Sequence, residues 1–161
     1  MSKSVYDVNS EIIKKKMVID LDLSRYEITS LYGLPMKVDD LNLGWNEIKE
    51  IDHFPKAVNT LRIQGNPIKN LKGVGIVHDV IYAANTKLET LEYLPKDLPV
   101  INIEKTPLSD QGKEFVLEEI YKNKLFNLTR VVATGFKLNE KDIQNIRKKY
   151  KLGSYGKFLD L

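Results

Sequence analysis

The sequence contains no cysteine among its 161 residues, and it has only two histidines and one tryptophan. The lack of cysteine excludes disulfide bonds, zinc–thiolate sites and thiol nucleophiles. The two histidines, His53 and His78, are too far apart to form an H-E-x-x-H zinc motif. No G-x-x-x-x-G-K-[ST] phosphate-binding loop is present either. We therefore predict no catalytic residue, metal site or cofactor, and we expect a protein that is not an enzyme.

Long hydrophobic runs are also missing. None approaches the roughly 18 apolar residues that a membrane-spanning helix needs, and the N-terminus lacks the basic start and apolar block of a secretory signal. Hydrophobic residues nevertheless make up 42% of the chain, which is enough for the packed core of one domain. The simplest expectation is a location in the cytoplasm of the producing or host cell, with no membrane partner.

The charge of the chain is small in total but unevenly distributed. The net charge is +3, whereas the stretch from Lys122 to Lys157 alone carries +8, from ten basic residues against Glu140 and Asp142. The remainder of the chain therefore carries a net −5. An acidic body with a basic tail is a charge pattern that the function of the chain has to explain.

An L-x-x-L-x-L pattern recurs at spacings of 19–21 residues, in copies that begin at Val18, Val38, Val58, Val77 and Leu98. In L-x-L, alternate residues of a strand point to the same side, so both apolar residues enter one core. An Asn follows at the bend in the middle copies, and in the fourth copy one extra residue is expected after Asn85. Because one coil cannot bury its own apolar side, neighbouring coils must stack.

The full pattern, L-x-x-L-x-L-x-x-N-x-I-x-x-L-x-x-L-P, resembles the leucine-rich-repeat family over roughly residues 18–108. Its short period and recurring Leu-Pro resemble the bacterial type, which occurs in secreted effectors of pathogens and in proteins of large phages. The resemblance implies an α+β solenoid with a curved parallel β-sheet on its concave face, capped by a helical C-terminal segment. It also implies protein binding as the usual task, here by a phage or bacterial protein that binds and modulates a host or partner protein.

The flanks are predicted to cap this solenoid. Residues 1–17 form an N-terminal cap, residues 18–108 the solenoid of about five repeats, and residues 109–161 a basic, helical C-terminal cap. In the first cap the apolar surface comes from Val5, Tyr6, Val8, Ile12 and Ile13.

The C-terminal cap is predicted to contain two helices with a short strand between them. The first helix runs from Ser109 to about Phe126, the strand lies within residues 127–134, and the second helix starts at Asn139. The side chains expected to face inward are Phe115, Val116, Ile120 and Tyr121 in the first helix and Ile143, Ile146 and Tyr150 in the second.

The concave face is the predicted binding surface. Alternation turns Leu21 and Leu23 inward and their neighbours outward; in the fourth copy it turns Val80 and Tyr82 inward and Ile81 outward. The predicted partner-binding residues are Asp20, Asp22, Asp40, Asn42, Trp45, Arg62, Gln64, Ile81 and Asn102.

Trp45 and Arg62 are the central candidates, because exposed Trp and Arg dominate interface energies. The alternative is that Trp45 packs against neighbouring turns and that Arg62 pairs with Asp40 or Asp79. A five-stranded face covers only about 350 Å², less than the roughly 800 Å² per partner of a standard interface. Loops or flanks must therefore contribute to tight recognition.

The basic tail supports two further interpretations. A basic helix can neutralise phosphates and give salt-sensitive nucleic-acid binding, with Tyr150 or Tyr155 stacking on bases; alternatively, it is a solvated lysine-rich face. The chain is also compatible with a structural subunit that assembles through its solenoid ends, and its oligomeric state is left open. The candidate nucleic-acid residues are Arg130, Lys141, Arg147, Lys148, Lys149 and Lys151.

Overall fold

The computed structural model describes residues 3–8 and 17–153. Its main feature is a seven-stranded sheet whose spatial order follows the chain, with β1 to β6 parallel and β7 antiparallel to β6. The strands are Met17–Asp22 (β1), Lys37–Asn42 (β2), Ala57–Arg62 (β3), Ile76–Tyr82 (β4), Val100–Asn102 (β5), Arg130–Ala133 (β6) and Phe136–Asn139 (β7). The helices are Val5–Val8 (α1), Pro107–Asp110 (α2), Lys113–Lys122 (α3) and Glu140–Gly153 (α4).

Each coil places the same apolar positions in one core. Leu21, Leu41, Leu61, Ile81 and Ile101 lie beside one another on consecutive strands, and all are buried. Each such side chain contributes roughly 1.5–3 kcal/mol through the apolar surface it removes from water. The structure is a parallel β-solenoid of about four turns with a C-terminal helix, which confirms the predicted solenoid repeat.

Buried polar side chains hold the bend that follows each strand. The Asn46 amide nitrogen donates hydrogen bonds to the carbonyls of Leu23 and Leu43, both at 2.9 Å. Asn66 makes the equivalent pair of bonds one coil later, and the Thr86 hydroxyl donates to the carbonyl three residues before it at 2.8 Å. Because buried carbonyls need donors, Asn46 and Asn66 tie adjacent coils together, whereas Thr86 closes the bend of its own coil.

The fourth copy contains its extra residue inside β4, not after the bend as predicted. Val58 pairs with Val77, a spacing of 19 residues, whereas Thr60 pairs with Val80, a spacing of 20. The register therefore shifts between these pairs, as at a β-bulge, which places two residues of one strand opposite one of its neighbour.

Because of this shift, the residues that follow it point to the side of the sheet opposite to the predicted one. Ile81 is fully buried, so the prediction that it is an exposed anchor is wrong. Ala83 is buried beside it, while Tyr82 faces the other side of the sheet, opposite to its predicted direction. Thr86 takes the buried place at the bend, and Asn85 adopts a left-handed conformation with φ 57° at the exposed turn before it.

The sheet continues beyond the predicted end of the solenoid at Leu108. The fifth coil leaves β5 through α2 and α3 in place of a loop, and the chain then returns as β6, parallel to β5. The single helix predicted from Ser109 is divided in two at Gly112, which has φ 97°. Strand β6 lies within the predicted range, and β7 was not predicted.

The C-terminal helices cover this end of the core. Val116 and Ile120 of α3 are buried, as predicted, and Leu117 is buried beside them. Phe115 is 39% exposed, contrary to the prediction. Helix α4 buries Ile143 and Ile146, as predicted. None of the helices in the described ranges is both long and apolar enough to span a membrane.

Residues 3–8 pack against the first coil. Val5 is fully buried, as predicted, and its backbone N–H donates to the carbonyl of Ser30 at 3.2 Å. Tyr6 is 45% exposed, and its backbone lies so close to Gly33 that a Cβ on this glycine would come within 2.6 Å of the Tyr6 nitrogen. Other residues named in the cap predictions lie outside the described residues: Ile12, Ile13, Tyr155 and the side chains of Tyr150 and Lys151.

Candidate functional site

Two rows of side chains cross the solvent-facing side of the sheet, which we call the outer face. Strand pairing defines both rows, because residues opposite each other on neighbouring strands point to the same side. The first row consists of Asp20, Asp40, Thr60, Val80, Val100 and Arg130. The second consists of Asp22, Asn42, Arg62, Tyr82, Asn102, Val132 and Lys137. The outer face is thus acidic over β1 and β2, largely apolar over β4 and β5, and basic over β6 and β7.

The acidic end contains carboxyl groups in two different states. A hydrogen bond with the Asp40 side chain raises the pKa of Asp20 above 3.8, and repulsion from Asp40 and Asp39 adds to the shift. Asp22 has the opposite shift: the hydroxyl and the backbone N–H of Ser24 donate to its carboxylate at 2.6 and 2.9 Å and lower its pKa. The acidic end therefore has one carboxyl group that holds its proton more tightly than usual and one that releases it more readily.

The centre of the outer face is a cation–π pair. The guanidinium carbon of Arg62 lies 4.2 Å from the centroid of the Tyr82 ring. Among the described residues Arg62 forms no ion pair with Asp40 or Asp79, so the predicted alternative of a salt bridge is wrong. Arg62 and the aspartates of β1 and β2 line the same depression, of about 120 Å³. Stacking on Tyr82 orders Arg62 while leaving its N–H groups available to an anionic partner group.

Trp45 lies at one border of the outer face, in the turn after β2. Its backbone is left-handed, with φ 56°, and its ring lies against Gly65, where an added Cβ would collide with Trp45 Cε3. The Arg25 guanidinium lies 5.5 Å from the ring centroid, and Trp45 remains 44% exposed. Trp45 therefore packs against the neighbouring turn, as in one predicted alternative, and still exposes aromatic surface to solvent, as in the other.

Gln64 contributes less surface than predicted. It is half-buried, and its amide nitrogen would lie 3.0 Å from a Cβ on Gly44. Its Oε1 atom is buried without a hydrogen-bond partner among the described residues. Gln64 thus lies in the gap that Gly44 leaves between two coils and is available to a partner only in part.

The predicted nucleic-acid residues do not form one surface. Arg130 belongs to β6 and the outer face, whereas Lys141, Arg147, Lys148 and Lys149 are exposed on α4. The Arg147 guanidinium lies 4.9 Å from the Phe126 ring centroid. Lys151 belongs to the same helix.

Most predicted partner-binding residues do come together. Asp20, Asp22, Asp40, Asn42, Arg62 and Asn102 share the outer face, Trp45 borders it, and only Ile81 lies in the core. Sequence reasoning missed Tyr82, the aromatic partner of Arg62, because it continued the alternation of the other copies from Val77 to Val80 and Tyr82 and did not foresee the register shift. The basic end was missed because β7 carried no repeat pattern.

No group of three or more His, Asp or Glu residues in the described part of the chain is arranged to hold a metal ion. The outer face accordingly offers hydrogen bonds, charge and aromatic surface. Comparison of the chain with known protein families, with curated proteins and with solved structures finds no match.

Proposed function

We propose that the chain is a non-enzymatic protein-interaction module whose partner binds the outer face and the Trp45 turn. The observation that carries this proposal is the pair of ordered, accessible cation–aromatic contacts, Arg62 on Tyr82 and Arg25 beside Trp45. Arg, Tyr and Trp are the residues most often found at the energetic centres of interfaces. Because the rings and guanidinium groups are already held in place, binding orders few additional side chains.

The size of the outer face is consistent with this role. Seven strands at about 4.8 Å spacing extend roughly 29 Å, and strands of about 17 Å give a projected area of roughly 490 Å². This area exceeds that of the five-stranded sheet predicted from the sequence and is still below the roughly 800 Å² of a standard interface. The turns that carry Arg25 and Trp45 supply additional contact area along one border.

We include the leucine-rich-repeat assignment, with its concave sheet, in the proposal. It is supported by the stacking of residues 20 positions apart in β1 to β3 and by the buried Asn46 and Asn66 at corresponding bends. A bacterial or phage protein that acts on a partner in the cytoplasm of the producing or host cell is the setting that this assignment favours.

Affinity capture from native lysate, with and without nuclease, tests the proposed function. The variant Trp45→Ala/Arg62→Glu changes one aromatic ring and one cation at the proposed site. A matched control is Tyr93→Ala/Lys72→Glu, which changes another exposed cation–π pair, with 5.8 Å between the Lys72 amine and the Tyr93 ring centroid. We expect a nuclease-resistant protein partner that the control variant retains and the site variant loses.

Two outcomes contradict the proposal. Equal capture by both folded variants places the binding site elsewhere. Captured material that is lost after nuclease treatment but is still captured by the site variant favours the second candidate, nucleic-acid association through α4. That candidate rests on the exposed bases Lys141, Lys148 and Lys149, which form no ion pair among the described residues.

A further inference from the structure

Apart from Arg62 on β3, the charged residues in the two rows of the outer face lie at its two ends. Asp20, Asp22 and Asp40 occupy the end formed by β1 and β2, and Arg130 and Lys137 the end formed by β6 and β7. All five are exposed. None of them forms an ion pair within the described part of the chain, so both ends present charge to a ligand.

The middle of the outer face separates these ends with half-buried side chains. Arg62 on β3 is exposed, whereas Val80, Val100, Tyr82 and Val132 are each partly covered. Beyond Arg62, a ligand that crosses the sheet therefore meets mainly apolar surface. The two edges of the sheet are about 29 Å apart, much more than the Debye length of about 8 Å at physiological salt. Each end therefore selects its own ligand charges, almost independently of the other.

We propose that the partner presents a segment that crosses the strands, with Lys or Arg over β1–β2, apolar side chains over β4–β5 and Asp or Glu over β6–β7. This inference rests on the proposed function and specifies the partner that it requires. A length of about 29 Å corresponds to roughly 19 residues of α-helix. A nucleic acid, or a uniformly acidic peptide, meets like charge at Asp20, Asp22 and Asp40 and fits the outer face less well.

Two synthetic peptides of about 20 residues and identical composition serve as probes. The segregated peptide has its Glu residues at one end, Leu and Ala in the middle and its Lys residues at the other end; the mixed peptide alternates Glu and Lys along its length. Fluorescence anisotropy near physiological salt measures both affinities for the full chain. We expect the segregated peptide to bind about tenfold tighter or better, a difference of about 1.4 kcal/mol.

Charge reversal at the ends gives the more specific test. Asp20→Lys/Asp40→Lys and Arg130→Glu/Lys137→Glu each place like charges against the segregated peptide, and each is expected to weaken its binding about tenfold. All four changes together reverse the direction of the charge gradient, although Asp22 stays acidic, so the peptide turns around and part of its affinity recovers. If the fourfold variant does not fold, Asp20→Asn/Asp40→Asn replaces it. This variant is expected to lower the affinity for the segregated peptide and to leave that for the mixed peptide unchanged.

A paramagnetic label at the Lys end reports the direction of binding by NMR. In the wild type it is expected to broaden the backbone signals of β1 and β2, and in the fourfold variant those of β6 and β7. Equal affinity for the two peptides, broadening at neither end, or no recovery in a folded fourfold variant overturns the inference.

The same experiments separate this inference from the proposed function. If Trp45→Ala/Arg62→Glu abolishes partner capture while both peptides bind alike, the outer face is the interface and the proposed charge order is wrong. If that variant captures the partner normally, the proposed function fails, and a preference for the segregated peptide then reflects an unrelated property of the sheet.

Discussion

Asp20 and Asp40 lie opposite each other on β1 and β2, and the pKa of Asp20 is raised above 3.8. The main cause is the hydrogen bond that protonated Asp20 shares with the Asp40 carboxyl group, to which repulsion between the ionised groups adds. The acidic end of the outer face therefore changes its charge with pH.

The pair makes a specific contribution to the pH dependence of stability. As pH rises above 3.8, the unfolded chain releases a proton that native Asp20 still holds, so this group lowers the free energy of unfolding until pH passes its native pKa. In Asp40→Asn, the amide donates to Asp20 without titrating, so this loss disappears. Urea unfolding between about pH 3.5 and 7 is expected to show the variant gaining stability relative to the wild type as pH rises.

Asp79→Asn, at an exposed position of β4, controls for the loss of one negative charge. If the wild type and Asp40→Asn give parallel curves of stability against pH, the shared hydrogen bond is absent in solution. A carbon-detected NMR titration of Asp20 measures the same shift directly, and its midpoint is expected to fall in Asp40→Asn.

A second prediction concerns the buried amide of Asn66. This side chain donates to the carbonyls of Leu43 and Ile63 and accepts from the N–H of Ile48, at 2.9–3.0 Å. Asn66→Ala leaves the Ile63 carbonyl and the Ile48 N–H buried without these partners, while Leu43 keeps its bond from Asn46. We expect the variant to destabilise the fold by about 2–4 kcal/mol in chemical denaturation. Asn66→Thr, which copies Thr86 of the next coil, is expected to retain part of this stability.

Exposed Asn145 on α4 provides the control for this change. Asn145→Ala is expected to alter stability by no more than about 0.5 kcal/mol. Similar effects for Asn66→Ala and Asn145→Ala would mean that the Asn66 side chain does not tie adjacent coils together.

A third prediction uses two glycines with similar backbones and different surroundings. Gly65 and Gly135 have φ 76° and 86°, but an added Cβ meets the Trp45 ring at Gly65 and nothing within 4 Å at Gly135. Gly135→Ala is expected to cost about 1–2 kcal/mol for its left-handed backbone. Gly65→Ala is expected to cost about 1–3 kcal/mol more, because the ring must move.

Fluorescence distinguishes the two variants directly, since Trp45 is the only tryptophan. The emission spectrum is expected to change in Gly65→Ala and to stay constant in Gly135→Ala. Unchanged emission in both variants, with equal losses of stability, contradicts the packing of Trp45 on Gly65.

A fourth prediction separates α4 from the outer face. Lys148→Glu/Lys149→Glu reverses charge on the exposed side of this helix and is expected to leave protein-partner capture unchanged. Binding of a single-stranded oligonucleotide that falls steeply with added salt, and is lost in this variant, favours nucleic-acid association instead.

The sequence contained enough information to predict the stacked coils, but not which side chains point into the core in every coil. Leu21 and Leu23 fit the alternation and are buried, because one face of each strand must enter the core. In the fourth copy, two alternative inward pairs fit the alternation: Val80 with Tyr82, and Ile81 with Ala83. The choice depends on pairing with β3, which is non-local and shifts by one residue at the bulge.

The composition of the outer face depended on similarly distant contacts. Arg130 reaches this face only because β6, after two helices, pairs with β5. The order of charges across the sheet therefore follows from strand pairing that local sequence patterns do not specify.

The most direct test of the proposed function is the affinity of the purified, captured partner, measured by titration calorimetry against matched variants. The account predicts that Trp45→Ala/Arg62→Glu weakens binding by at least about 100-fold, roughly 2.7 kcal/mol, while Tyr93→Ala/Lys72→Glu binds like the wild type. Equal dissociation constants for the two variants, both folded, would contradict recognition through the outer face.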